Sequence, residues 1–302
     1  MAAWVRGRRI GAGVATCAVA LIATATAQVQ YSRGQNVVPV FEGWEPNPDG
    51  SYNLLFGYMN RNYEERLHIP LGPNNTLEPG GQDQGQPTYF LPRRNRHVFR
   101  LRVAKDFGKK ELVWTLTANG RTERAYATLN PDYVLDRQVL YRNNTGIDPV
   151  TETENNKPPL VSVEDGQRRT IAVGESLVLT AVASDDGIPP PTPMPRREVG
   201  FRSALGLRVA WFVYRGAGDS VTFEPAQFKP YPDHLRGSPW TPGWAPPPLP
   251  QDGKFPTRVT FSAPGSYVLR VQAHDGGADG TQDVAVEVRP SAANPTPSSS
   301  VR

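Results

Sequence analysis

The run from Pro264 to Gly276 constrains the fold more than any other stretch of the chain. Pro264-Gly265 suits the two central positions of a β-turn. Tyr267, Leu269, Val271 and Ala273 then alternate with Val268, Arg270 and Gln272, which is the period of a strand with one buried face. Asp275-Gly276 is a hairpin turn signal. After it, Val284, Val286 and Val288 alternate with Asp283, Ala285 and Glu287. Such a hairpin predicts the closing half of an antiparallel sandwich.

The same pattern recurs upstream. Tyr52, Leu54, Phe56 and Tyr58 share one strand face, and His97, Phe99, Leu101 and Val103 share another. Leu112, Trp114, Leu116 and Ala118 form a third, and Asn119-Gly120 after them is a type I′ turn signal, because both central residues of that turn need φ > 0. Ala125, Ala127 and Leu129 continue the inward set. Val38–Phe41 and Leu67–Ile69 predict short strands, while 70–87, rich in Gly, Asn, Gln and Pro, reads as loop. Strands at this spacing, with no helical period between them, predict an all-β fold of two antiparallel β-sandwich domains in tandem. The expected boundaries are 28–144 for the first domain, 145–158 for a linker, 159–289 for the second domain and 290–302 for a disordered tail.

The first 27 residues read as a cleaved secretory signal. Arg6, Arg8 and Arg9 precede a small apolar run, and Ala25-Thr26-Ala27 is an Ala-x-Ala cleavage site. Cleavage removes three arginines and no acid, so 33 basic residues fall to 30 against 29 acidic ones. A mature charge near zero argues against nucleic acid as a partner. Cys17, the only cysteine, leaves with the signal, so the mature chain has no disulfide and no thiolate metal site. The expected location is secreted or periplasmic, with no stable membrane span after cleavage.

In the second half, Leu177, Leu179, Ala181 and Ala183 form an inward face, and Val209, Trp211 and Val213 form the next. Several motifs stand in order. Asn-x-Pro-Pro-x-Val begins at Asn156 and Ser-Asp-Asp-Gly-Ile-Pro at Ser184. Val-Ala-Trp-Phe-Val-Tyr begins at Val209, Gly-Ala-Gly-Asp-Ser-Val-Thr-Phe at Gly216, and the final hairpin follows. Together, from Asn156 to Val288, they resemble the PKD-like, immunoglobulin-like repeats of bacterial exported proteins. The resemblance implies a seven-stranded sandwich with Trp211 buried on its third strand. It also implies a tyrosine corner at Tyr267, and a module that spaces, presents or binds without catalysing. The chain departs from the pattern in two proline-rich insertions, 188–197 and 225–256.

Candidate chemistry is sparse. In an immunoglobulin-like topology the loops carrying Asp185 and Asp186 lie at the same end as those carrying Asp275 and Asp279, and converging carboxylates suit Ca²⁺. The same residues also meet the purely conformational demands of tight turns. Trp44, Tyr231, Trp240 and Trp244 are candidates for ligand binding. Trp44 adjoins a turn and the others lie among prolines that restrict the free chain; equally, the proline-rich segment can be a flap with its tryptophans packed inward. Arg93, Arg94, Arg96, Arg100 and Arg102 could meet an anionic group or form the solvated side of a strand. His68, His97, His234 and His274 have no zinc-ligand spacing, and neither a Gly-x-Ser-x-Gly elbow nor a phosphate loop occurs. The resulting expectation is a non-catalytic envelope protein whose partner is a protein or glycan. A carbohydrate-binding module is one alternative, and a hydrolase with a carboxylate pair between the domains is another.

Overall fold

The computed structural model describes residues 31–136, 138–140, 155–191, 206–227 and 250–291. The signal segment, Tyr231, His234, Trp240, Trp244, most of the linker and nearly all of the tail lie outside these residues.

The first half contains β1 (Val37–Pro46), β2 (Tyr52–Asn60), β3 (Leu67–His68), β4 (Asn75–Glu78), β5 (Tyr89–Phe90), β6 (Arg93–Val103), β7 (Leu112–Ala118) and β8 (Arg121–Ala127). One sheet has the order β1-β2-β6, a second β4-β7-β8, and β3 pairs with β5. Every second residue of β7 is buried, as its alternation requires. Trp114 is the centre of the core, edge-on to Phe56 and Phe99 at 5.9 and 5.1 Å, and those two rings stack at 5.1 Å. Asn119 and Gly120 turn the β7–β8 hairpin with φ of 48° and 73°, the positive pair that a type I′ turn needs.

The segment 70–87 is not wholly loop, because β4 lies within it and pairs with β7. Asn75 explains the difference. Its buried amide donates to the carbonyls of Ile69 and Pro87 and its oxygen accepts from Trp114 Nε1, so a turn-prone residue becomes a fully satisfied core group.

The second half contains β9 (Leu160–Val163), β10 (Arg168–Ala172), β11 (Ser176–Ser184), β12 (Arg208–Arg215), β13 (Val221–Glu224), β14 (Lys254–Phe261), β15 (Gly265–His274) and β16 (Asp279–Arg289). Two four-stranded sheets, β9-β11-β14-β13 and β10-β16-β15-β12, face each other. This is an immunoglobulin-like order in which the leading strand is split between the sheets. Its second piece, β10, runs parallel to β16, while the other pairings are antiparallel. Trp211, Leu179, Leu269 and Val271 are fully buried between the sheets. The Tyr267 hydroxyl donates to the Ala263 carbonyl at 3.0 Å and ties the corner before β15 back onto itself.

The two halves share their cores. Tyr89 and Leu91 pack into the second cluster, and Tyr214, with Phe212 and Val268 beside it, packs into the first. β12 therefore loses the alternation of a half-exposed strand, since Ala210 and Tyr214, on the side away from Trp211, are also buried.

Candidate functional site

The seam between the halves carries several charged and polar side chains that bridge the two sandwiches. Arg270 leaves the outer face of β15, lies 3.5 Å over the Tyr214 ring, and donates to the Val98 carbonyl at 2.8 Å. Its guanidinium also holds Asp283 through two bonds of 2.6 and 2.8 Å. Arg215 grips Asp83 in the same two-pronged way, at 2.8 and 2.7 Å, and donates to the Gln86 carbonyl. Tyr89 donates its hydroxyl to Asp219 at 2.7 Å, and Arg100 reaches Asp279 at 3.5 Å. Burial raises the Tyr214 phenol to about 12 against the pull of the Arg270 charge, so it stays protonated under the cation.

His97 and His274 meet across this seam, close enough that the charge of one bears on the other. Burial lowers both, His274 to about 4, while Asp279 works in the opposite sense on each. His274 Nδ1 accepts from the Gly276 amide at 2.8 Å, and His97 Nε2 is buried without a hydrogen-bond partner. Sequence spacing had no means of pairing these two residues, because they lie on strands of different halves.

At the end of the second sandwich, Asp185 and Asp275 come together with Asn156. Asp275 is fully buried in the β15–β16 turn, where its Oδ1 accepts from Gly277 N at 2.6 Å and Ala278 N at 2.7 Å. Burial pushes its carboxyl up to about 6. The Ala278 and Gly277 amides and the Asn156 side chain pull it down, and the Asp185 charge adds to the rise. Burial likewise raises Asp185, whose Oδ2 accepts from Gly187 N at 3.0 Å. Asp186 sits beside them but is engaged by the amides of Lys157 and Ile188. Asp279 turns instead to Arg100 and Gln272; burial pushes its carboxyl up, but the charges of Arg100, His274 and His97 and the Gln272 bond together hold it below the usual carboxylate range. Among the described residues no three His, Cys, Asp or Glu side chains form a metal cluster; this group is two carboxylates and an amide.

Trp44 is half-buried. Its Nε1 donates to the Asn130 carbonyl at 2.8 Å, and its ring meets Tyr52 edge-on at 5.3 Å. The basic stretch on β6 is largely neutralised from within. Arg94 pairs with Glu42, Arg100 with Glu45 as well as Asp279, and Arg102 with Asp49, while Arg93 lies 3.9 Å over the Tyr63 ring. A cleft of 350 Å³ opens beside the seam between His68, Thr88, Arg215 and Tyr267, and it is open to solvent along much of its length. Among the described residues no helix is long and apolar enough to cross a membrane.

No family model and no curated protein matches the chain. Among solved structures, the PKD domain of human KIAA0319 aligns at 18% identity over 50% of this chain and 98% of its own, with a TM-score of 0.25. A conjugative transposon lipoprotein from Bacteroides eggerthii aligns at 13% identity over 42% of this chain and 96% of its own, also at 0.25. Domains 4 and 5 of the S-layer protein SbsC align at 9% identity over 60% of this chain and 65% of theirs, at 0.24. The strand pairings make the described residues an all-β fold of mainly antiparallel sheets, and its immunoglobulin-like character rests on the strand order of its second half.

Proposed function

We propose that the chain is an exported, non-catalytic protein of the bacterial envelope that acts by interaction or presentation. The observation that carries this reading is the seam. The side chains a cleft would offer to a substrate are engaged with one another there: Arg270 with Asp283, Arg215 with Asp83, Arg100 with Asp279, and Tyr89 with Asp219. Such pairing fixes two sandwiches as one body, which suits holding a surface at a set position and orientation.

The test is to express the full chain in a bacterial host with an export pathway, fractionate the cells and sequence the N-terminus of the product. The expected product begins at Gln28 and is found outside the cytoplasm. An uncleaved chain in the cytoplasm overturns the export reading. Turnover of glycoside or ester substrates that is abolished by neutralising Asp219 or Asp279 overturns the non-catalytic one.

A further inference from the structure

Turn chemistry accounts for only half of each carboxylate in the Asp185–Asp275 group. One oxygen of each caps backbone amides, and an asparagine would do the same without a charge. The other oxygens, Asp185 Oδ1 and Asp275 Oδ2, are both buried and receive no donor in hydrogen-bonding geometry. A buried carboxylate oxygen without a partner is costly and rare, and an ion is among its standard explanations. Here two such oxygens come from two loops, on residues whose charges already act on each other.

We infer that Asp185, Asp275 and Asn156 form a binding site for a hard divalent cation, Ca²⁺ by its chemistry. The donors are all oxygen, since no histidine, cysteine or methionine belongs to the group, and that selects Ca²⁺ or Mg²⁺ over zinc or copper. Calcium tolerates the irregular geometry that two carboxylates, one amide oxygen, backbone carbonyls and water would supply, whereas Mg²⁺ demands a regular octahedron. Asn156 lies against the Asp275 carboxylate, where its side chain favours the charged form, and its amide is the third polar group at the site. Asp186 and Asp279 are not ligands, because their oxygens already hold Lys157 and Ile188 amides in one case and Arg100 and Gln272 in the other. The ion would join three segments: the approach to β9, the exit from β11 and the β15–β16 turn. It would tie the entry of the second sandwich to its central strands.

The experiment is calorimetric titration and thermal unfolding of the purified full-length chain, stripped with a chelator and then given CaCl₂ or MgCl₂. A few-ligand site of this kind is expected to bind Ca²⁺ with Kd of about 10⁻⁴–10⁻³ M. Saturating calcium should raise the unfolding midpoint by about 5 °C, and magnesium should raise it less. Asp275→Asn and Asp185→Asn keep the turn bonds and should each weaken calcium at least about tenfold, a single carboxylate ligand's share. Asp186→Asn should change the affinity by less than about threefold. If Asp275→Asn does not fold, Asp185→Asn carries the comparison, since its side chain is half-exposed. A wild-type chain with no heat and no midpoint shift at about 10 mM calcium overturns the inference, as does a calcium response unchanged in the Asp185→Asn/Asp275→Asn double variant.

Discussion

Arg270→Ala should loosen the two halves from each other while leaving each core packed. The Arg270 side chain is 12% exposed and makes four contacts that alanine cannot make. Two are the bonds to Asp283, which is itself 40% exposed, so hydration limits that pair to about 1 kcal/mol. The bond to the Val98 carbonyl comes from a charged donor and contributes about 1.5–3 kcal/mol. The stack on Tyr214, at 3.5 Å and shielded from water, adds roughly 0.5–2 kcal/mol. The expected loss is about 3–6 kcal/mol, close to the range for removing one member of a buried charged network. Arg270→Lys keeps the charge but not the planar fork, and should recover less than half of that loss. Urea unfolding gives the total. Hydrogen exchange read by mass spectrometry gives the location, with protection falling first in peptides covering 83–91 and 210–216. A loss below about 1 kcal/mol, or unchanged exchange in those peptides, would refute the view that this side chain couples the halves.

Gly218→Ala tests the other side of the same seam. A Cβ there would overlap the Tyr89 ring at Cε1 and Cζ, so the ring and its bond to Asp219 must shift, at a cost of about 1–3 kcal/mol measurable as a lower unfolding midpoint. His97 makes stability depend on acidity. It is held neutral in the folded chain among Glu42, Asp279, Arg96, Arg100 and His274, but takes a proton near pH 6.5 when unfolded. Its share of stability is therefore complete above that pH and declines as the pH falls below it, by up to about 1.4 kcal/mol per unit. His97→Asn tolerates the local φ of 49° and should flatten the pH dependence between about 6.5 and 5 relative to wild type; parallel curves would contradict the assignment.

Features set by neighbouring residues were legible in the sequence. The Asn119-Gly120 turn and the inward faces built on Trp114 and Trp211 follow from short-range rules of period and turn chemistry, while the tie of Tyr267 back to backbone came from the family resemblance alone. The meeting of Asp185 with Asp275 was legible at one remove, because strand order places both loops at one end. Which carboxylate oxygens are left over was not, since that depends on where individual amides point. Asp279 shows the same limit: it sits four residues from Asp275 but is claimed by Arg100 of the other half. The seam itself was hidden for a simple reason. Alternation says that Arg270, Tyr214 and Phe212 face away from their own core, but an outward face looks the same in sequence whether water or a second sandwich covers it. The one local trace was the unbroken apolar run from Val209 to Tyr214.

The exchange of Tyr89 and Leu91 for Tyr214 across the two cores bears on the order in which the chain becomes safe from aggregation. Strand β5 emerges long before β12, which follows it by roughly 120 residues, or about 6–24 s at ordinary synthesis rates. Until then Tyr89 and Leu91 have no cluster to enter, and the first core lacks Tyr214. The nascent first half is thus a sticky, incomplete body. A holdase or an export channel that delays its collapse until β12 and β15 arrive would serve this chain better than rapid folding of each half in turn.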